Sequence, residues 1–144
     1  MMKFLSPLVR AEKANAAAQA EAKEDYESVV ALRSKAIPAV TFAIRRVSFA
    51  RRMDLSRRAR EISRKAEFLE ASGQLAEKIE AGILAQEIDA MYLAWGLVSI
   101  RGLTIDGDPA TAENLIEKGP DDLSREIVDA IKTQCGLSEI ERKN

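Results

Sequence analysis

The chain has 144 residues, close to the usual size of one domain, with one cysteine (Cys135), no histidine and a formal net charge of −1. The lack of histidine excludes triads with an imidazole base and histidine-containing zinc sites, and a lone cysteine excludes an internal disulfide and a Cys-only metal site. The apolar run over residues 1–9 is broken by Pro7 and is too short for a secretion signal, and no stretch approaches the roughly 18 apolar residues of a membrane span, so we expect a cytoplasmic protein.

The small net charge hides an uneven distribution along the chain. Residues 45–65 contain nine basic and two acidic side chains, whereas residues 66–144 contain seven basic and sixteen acidic ones. The basic segment therefore either pairs with the acidic C-terminal part or faces an anionic partner.

Helix formers dominate the first part of the chain. Seven of the fourteen residues 11–24 are alanine, with Glu, Lys and Gln between them. This composition predicts a helix over residues 8–35, which Pro38 ends because a proline disfavours helical geometry in the residue before it. We therefore divide the chain into an Ala-rich N-terminal helix or extension, residues 1–38, and a single helical domain, residues 39–144. The N-terminal helix could be free or packed closely against a partner.

A helical hairpin is predicted for residues 53–95. Residues 39–47 before it form a short strand or a link. The first helix has one apolar stripe at spacings of three and four, and Ser72-Gly73 marks its end. The second helix, from about residue 75 to 95, has a broad apolar face. The residues of the first stripe are Leu55, Ala59, Ile62, Ala66 and Leu69; those of the second helix are Ile79, Ile83, Ile88, Met91 and Trp95.

Short elements are predicted after Gly96. Residues 97–100 and 103–106 alternate in polarity and indicate a small β-hairpin, followed by a turn at residues 106–109. Two short C-terminal helices follow, the first over 112–118 and the second after Pro120. The predicted fold class is mainly α: an antiparallel helical hairpin with a small β-hairpin and short C-terminal helices.

The acidic turn does not predict a metal site. Asp106, Asp108 and Glu117 occupy the first, third and twelfth places of an EF-hand calcium loop. Thr111 stands where that loop requires glycine, so a turn followed by a helix cap explains the same residues. We predict no catalytic, cofactor-binding or metal-binding residue, and hence a protein that is not an enzyme.

Several segments resemble small proteins from the structural gene clusters of tailed phages and prophages, which are generally assigned as tail assembly chaperones. The resemblance covers about residues 48–144, and its most distinctive part is the Asp-Gly-Asp-Pro-Ala-Thr turn at 106–111. The other segments that carry it are residues 48–52, 66–70, 95–105, 119–120 and 135–138. The Ala-rich N-terminal helix has no counterpart in it. The resemblance implies a phage morphogenesis factor in the host cell cytoplasm that binds the helical tape measure protein before the tail tube forms.

The expected contact surface lies on residues 49–69 and around Trp95, because amphipathic helices can place apolar side chains against a client helix. A homo-oligomer is also possible. The alternative is a nucleic-acid-binding protein that acts through the Arg-rich helix 45–65, although no aromatic platform accompanies the arginines. The candidate partner-binding residues are Phe49, Arg51, Arg52, Arg57, Arg58, Leu69 and Trp95.

Overall fold

The computed structural model describes residues 23–136. Its elements form a helical hairpin with a small sheet at one end. Most of the described residues lie in helices. The predicted helix over residues 8–22 lies outside this range. In chain order the elements are β1 (Val29–Arg33), β2 (Thr41–Arg45), α1 (Phe49–Ala71), α2 (Leu75–Gly96), β3 (Leu97–Arg101), β4 (Thr104–Ile105), β5 (Asp108–Pro109), α3 (Ala112–Lys118) and α4 (Asp121–Gln134).

Strands β1, β2 and β3 form an antiparallel sheet with β2 in the middle. Because side chains alternate along a strand, Phe42 and Ile44 of β2 face the helices and are buried, whereas Thr41, Ala43 and Arg45 face the other way. A register irregularity between Ala43 and Ile44 places Leu97 opposite Ile44. The sheet thus has one face in the core and one open face.

The predicted helical hairpin is confirmed. Ser48 caps α1 by accepting a hydrogen bond from the backbone N–H of Arg51 (3.1 Å), and the short connection Ser72–Gln74 leads into α2. The two helices pack along their length, but only Leu55 of α1 is fully buried. The end of the hairpin away from the sheet, at residues 71–75, therefore lies outside the main core.

The core lies between the inner face of the sheet, α4 and the sheet-end half of α2. Helix α4 buries one stripe completely, formed by Leu123, Ile127 and Ile131. Ile88, Tyr92 and Leu93 of α2 and Leu115 of α3 belong to the same cluster. Both C-terminal helices have the predicted limits: Thr111 and Asn114 form a capping box for α3, and α4 follows Pro120.

One charged side chain lies inside this core. Lys132 of α4 is 2% exposed, and its Nζ lies 2.6 Å from Oδ1 of Asp89 on α2. The ammonium group also lies over the ring of Tyr92, 5.7 Å from the ring centroid. A charge buried this deeply is tolerated because it is paired, and the pair joins α2 to α4.

The structure corrects the prediction for residues 23–38. Residues 23–28 form no helix, and Val29–Arg33 is a strand, so the predicted helix over 8–35 is wrong in its described part. Val30 and Leu32 alternate with the exposed Ala31 and Arg33, a period of two that favours a strand. Because β1 pairs with β2 over its whole length, residues 29–38 belong with the sheet and not with an N-terminal extension.

The predicted pairing of residues 97–100 with 103–106 is also wrong. Strand β3 pairs with β2, and β4 pairs with β5 in a separate two-stranded hairpin. The turn between β4 and β5 is the predicted one: Asp106 and Gly107 both have positive φ angles, 52° and 86°, as a two-residue type I′ turn requires. Arg101-Gly102 connects two strands that lie in different sheets.

Candidate interaction surface

Helix α2 has two apolar faces that point in different directions. Ala81, Leu84 and Ile88 recur at spacings of three and four and form the face against α1 and the core. Leu75, Ile79 and Ile83 recur every four residues on the other side of the helix, and they are 75%, 58% and 45% exposed. We call these three residues the outer stripe. A surface helix normally has one apolar face, which packs against the core. The packing of α2 within this fold therefore does not require the apolar side chains of the outer stripe.

Gly82 lies beside the outer stripe, in the interior of α2. A glycine there costs about 0.5–1 kcal/mol relative to alanine, because it loses more backbone freedom on helix formation. A Cβ atom added at Gly82 would meet no heavy atom within 4 Å, so packing within the described residues does not require a glycine. A small residue on an exposed apolar stripe allows a second backbone to approach closely.

A shallow groove runs along one side of the hairpin near the same end. It is lined by the aliphatic and aromatic parts of both helices and by charged side chains of opposite sign. The residues that line it are Arg64, Lys65, Phe68, Leu69, Glu80 and Leu84. Phe68 is strongly exposed, so the groove adds apolar surface to that part of the hairpin.

The predicted apolar contact residues lie in three different places. Phe49 is the first residue of α1 and is 84% exposed, close to the sheet and far from the outer stripe. Leu69 is partly buried in the groove. Trp95 packs partly against the core, and its carbonyl oxygen accepts a hydrogen bond from Nε of Arg45 (3.0 Å). The structure therefore does not bring these three residues together.

The predicted arginines on α1 make local contacts. Arg51 and Arg58 both pair with Asp54, at 3.2 and 3.4 Å, and both ion pairs are solvent-exposed. Arg57 is exposed, and the guanidinium of Arg52 lies near Gly136 at the end of α4. Within residues 23–136, no ion pair joins α1 to the acidic C-terminal part.

Cys135 behaves as a buried apolar residue. Burial raises the pKa of its thiol to about 11, and the nearby positive charge of Arg52 only partly opposes this. A thiol with this pKa is protonated at neutral pH and is a poor nucleophile. Among residues 23–136 there is also no group of three or more side chains that could hold a metal ion.

Sequence reasoning missed the outer stripe because it placed Ile79 and Ile83 on the same broad face as Ile88. Two separate stripes at helical spacing, with a glycine in the helix interior, were the signal that could have separated them.

Within the described part of the chain, no helix is both long and apolar enough to cross a membrane. Comparison with protein-family models, curated proteins and solved structures finds no match to this chain.

Proposed function

We propose that this chain acts by binding an amphipathic helix of another protein along the outer stripe of α2, and not by catalysing a reaction. The observation that carries the proposal is the exposure of Leu75, Ile79 and Ile83 on a helix whose other apolar face is already packed. Burying such a stripe against a client helix contributes about 25 cal/mol per Å² of apolar surface removed from water.

Gly82 and the charge of α2 support the same proposal. Gly82 leaves space for a client backbone beside the outer stripe. Helix α2 carries four acidic side chains and one basic side chain, so basic residues beside the client's apolar stripe would be favoured. The resemblance of residues 48–144 to tail assembly chaperones suggests the client: a helical segment of a phage tape measure protein, held in soluble form before tail assembly.

Co-expression with a phage tape measure protein tests this function. The wild-type chain is expected to co-purify with the tagged client and to increase its soluble fraction. Ile83→Asp is expected to abolish co-purification, because it places a charge within the outer stripe. The matched control is Ile116→Asp on α3, since Ile116 is equally exposed (44%) but lies elsewhere. If the wild-type chain neither co-purifies with the client nor changes its solubility, the proposal fails.

Nucleic-acid binding through α1 is the second candidate. Arg57, Arg60 and Arg64 are exposed, follow spacings of three and four along one side of the helix, and form no ion pair in the described part of the chain. Such a row could follow a phosphate backbone. This function requires affinity for DNA or RNA that falls steeply with salt and is lost in the triple Arg→Ala variant. If the chain binds neither DNA nor RNA at low salt, this function is excluded.

A further inference from the structure

The open face of the three-stranded sheet carries positive charge without any negative charge. Eight residues of this face are placed by the strand register: Val29, Ala31 and Arg33 on β1, Thr41, Ala43 and Arg45 on β2, and Ser99 and Arg101 on β3. None of them is acidic, and the three arginines are exposed. Mixed charges are usual on a protein surface, so this face needs a separate explanation.

Two of the arginines share one row across the strands. Thr41 lies directly opposite Arg33 on one side and Arg101 on the other. Since neighbouring strands are about 4.8 Å apart, the two arginine backbones are separated by roughly 10 Å. Both side chains are long enough to reach an oxyanion above Thr41, whose hydroxyl group is a third donor in the same row.

The next row along the sheet consists of small side chains. Ala31, Ala43 and Ser99 lie opposite one another and form a floor of small side chains, and the exposed Val98 lies beside it at the irregularity in the register. Beyond them, the Nε atom of Arg45 donates to the carbonyl oxygen of Trp95, which holds the side chain in place and leaves its terminal nitrogens for another acceptor. Neither Arg33, Arg45 nor Arg101 forms an ion pair within residues 23–136.

We infer that this open face binds an acidic peptide segment, with Arg33 and Arg101 holding one carboxylate above Thr41 and Arg45 holding a second. Arginine recognises carboxylates through paired N–H donors, and the floor of small residues lets a peptide backbone lie close to the sheet. This surface is separate from the outer stripe of α2 and does not depend on the function proposed for it.

The surroundings favour an acidic peptide over a nucleic acid. None of the eight residues placed on the face is aromatic, and the nearby exposed ring of Tyr26, before β1, already has the guanidinium of Arg46 over it, 5.6 Å from the ring centroid. The segment that leads into β1 contains Glu24, Asp25 and Glu27, all exposed, which would repel a long polyanion that extends beyond the sheet. An acidic segment that spans only the distance from Arg33 and Arg101 to Arg45 does not have to extend past Arg45 toward these carboxylates.

Fluorescence anisotropy with a fluorescein-labelled hexaglutamate peptide tests this inference on the full chain, with labelled hexaglutamine as the neutral control peptide. The wild-type chain is expected to bind hexaglutamate in low salt and not hexaglutamine. The double variant Arg33→Ala/Arg101→Ala is expected to bind at least tenfold more weakly. The matched control is Lys118→Ala/Arg125→Ala on α3 and α4, which removes two exposed positive charges elsewhere and should change the affinity less than twofold.

Three results would overturn the inference. The first is an absence of hexaglutamate binding by the wild-type chain. The second is equal weakening by the two double variants, which would mean that only net charge matters. The third is tighter binding of a labelled single-stranded oligonucleotide of equal charge that also depends on Arg33 and Arg101, which would assign the face to nucleic acid. Circular dichroism of each variant confirms that it is folded.

Discussion

Helices α4 and α2 differ in what covers their apolar residues. The stripe of α4 formed by Leu123, Ile127 and Ile131 is fully buried, and the opposite side of that helix is polar. Helix α2 instead has apolar residues on two sides, and its outer stripe is uncovered within the described structure. The same residue types thus have different consequences: covered apolar residues stabilise the fold, whereas uncovered ones are available to bind a partner.

Two matched isoleucine substitutions should separate these two roles, and the buried one has the largest expected effect on the free energy of unfolding. Ile127→Ala is expected to lower the free energy of unfolding by about 2–4 kcal/mol, because it removes buried methyl groups and leaves a cavity. Ile79→Ala is expected to change it by less than about 0.5 kcal/mol, since that side chain is already largely in water, while weakening client binding. Urea denaturation measures both. Equal losses of stability would mean that the outer stripe packs within the fold.

The ion pair between the buried Lys132 of α4 and the half-exposed Asp89 of α2 offers the next largest effect. Asp89→Ala should cost about 2–3 kcal/mol, because it takes a carboxylate away from the buried ammonium group of Lys132. Lys132→Met should cost less than Asp89→Ala, because it removes the buried charge as well and keeps a chain of similar length. Thermal and urea denaturation of the two variants, compared with the double variant, test this order. A greater loss for Lys132→Met would show that the aliphatic packing of the lysine dominates.

Much of the fold could be predicted from sequence, whereas the outer stripe of α2 was missed, and the exceptions have physical reasons. Local signals located α1, α2, α3 and α4, because caps, turn residues and helical spacing act over a few residues. The strand pairing was missed because β3 pairs with β2 across the whole helical hairpin, and no local pattern encodes that contact. Lys132 lies on a helix with many exposed charges, and no local pattern distinguishes it from them. Its burial goes with the contact to Asp89, which is 43 residues away in sequence.

The contact between Glu126 of α4 and the β1–β2 turn is another that sequence could not reveal. It provides a test through the pH dependence of stability. The carboxylate of Glu126 accepts hydrogen bonds from Oγ of Ser34 (2.5 Å) and from the backbone N–H of Lys35 (2.6 Å) in the β1–β2 turn. Partial burial raises the pKa of Glu126, but these hydrogen bonds, a further one from the backbone of Ala36 and the charge of Lys35 outweigh it and hold the pKa below its ordinary value of 4.5.

A lowered pKa in the folded state means that ionised Glu126 stabilises the protein above the ordinary pKa, and that this stability disappears as the pH falls through the folded-state value. Glu126→Gln should therefore cost about 1–2 kcal/mol at pH 7, and the difference from wild type should shrink below pH 4.5. Urea denaturation of both proteins from pH 7 to pH 3 measures this difference. A difference that does not change with pH would contradict the role of the ionised carboxylate.

The smallest expected effect is at Gly82, and it bears most directly on the contrast between covered and uncovered faces. Gly82→Ala should stabilise the free protein by about 0.5–1 kcal/mol, because alanine favours the helix and its Cβ meets no atom of the described chain. Gly96 in the same helix is the control: a Cβ there would lie 2.7 Å from Cδ1 of Ile131, so Gly96→Ala should destabilise the fold by about 1–3 kcal/mol. If Gly82→Ala stabilises the chain and yet weakens client binding, the glycine is retained for the partner, since the fold itself is better without it. If the variant binds the client as well as wild type does, no partner backbone approaches α2 at this position.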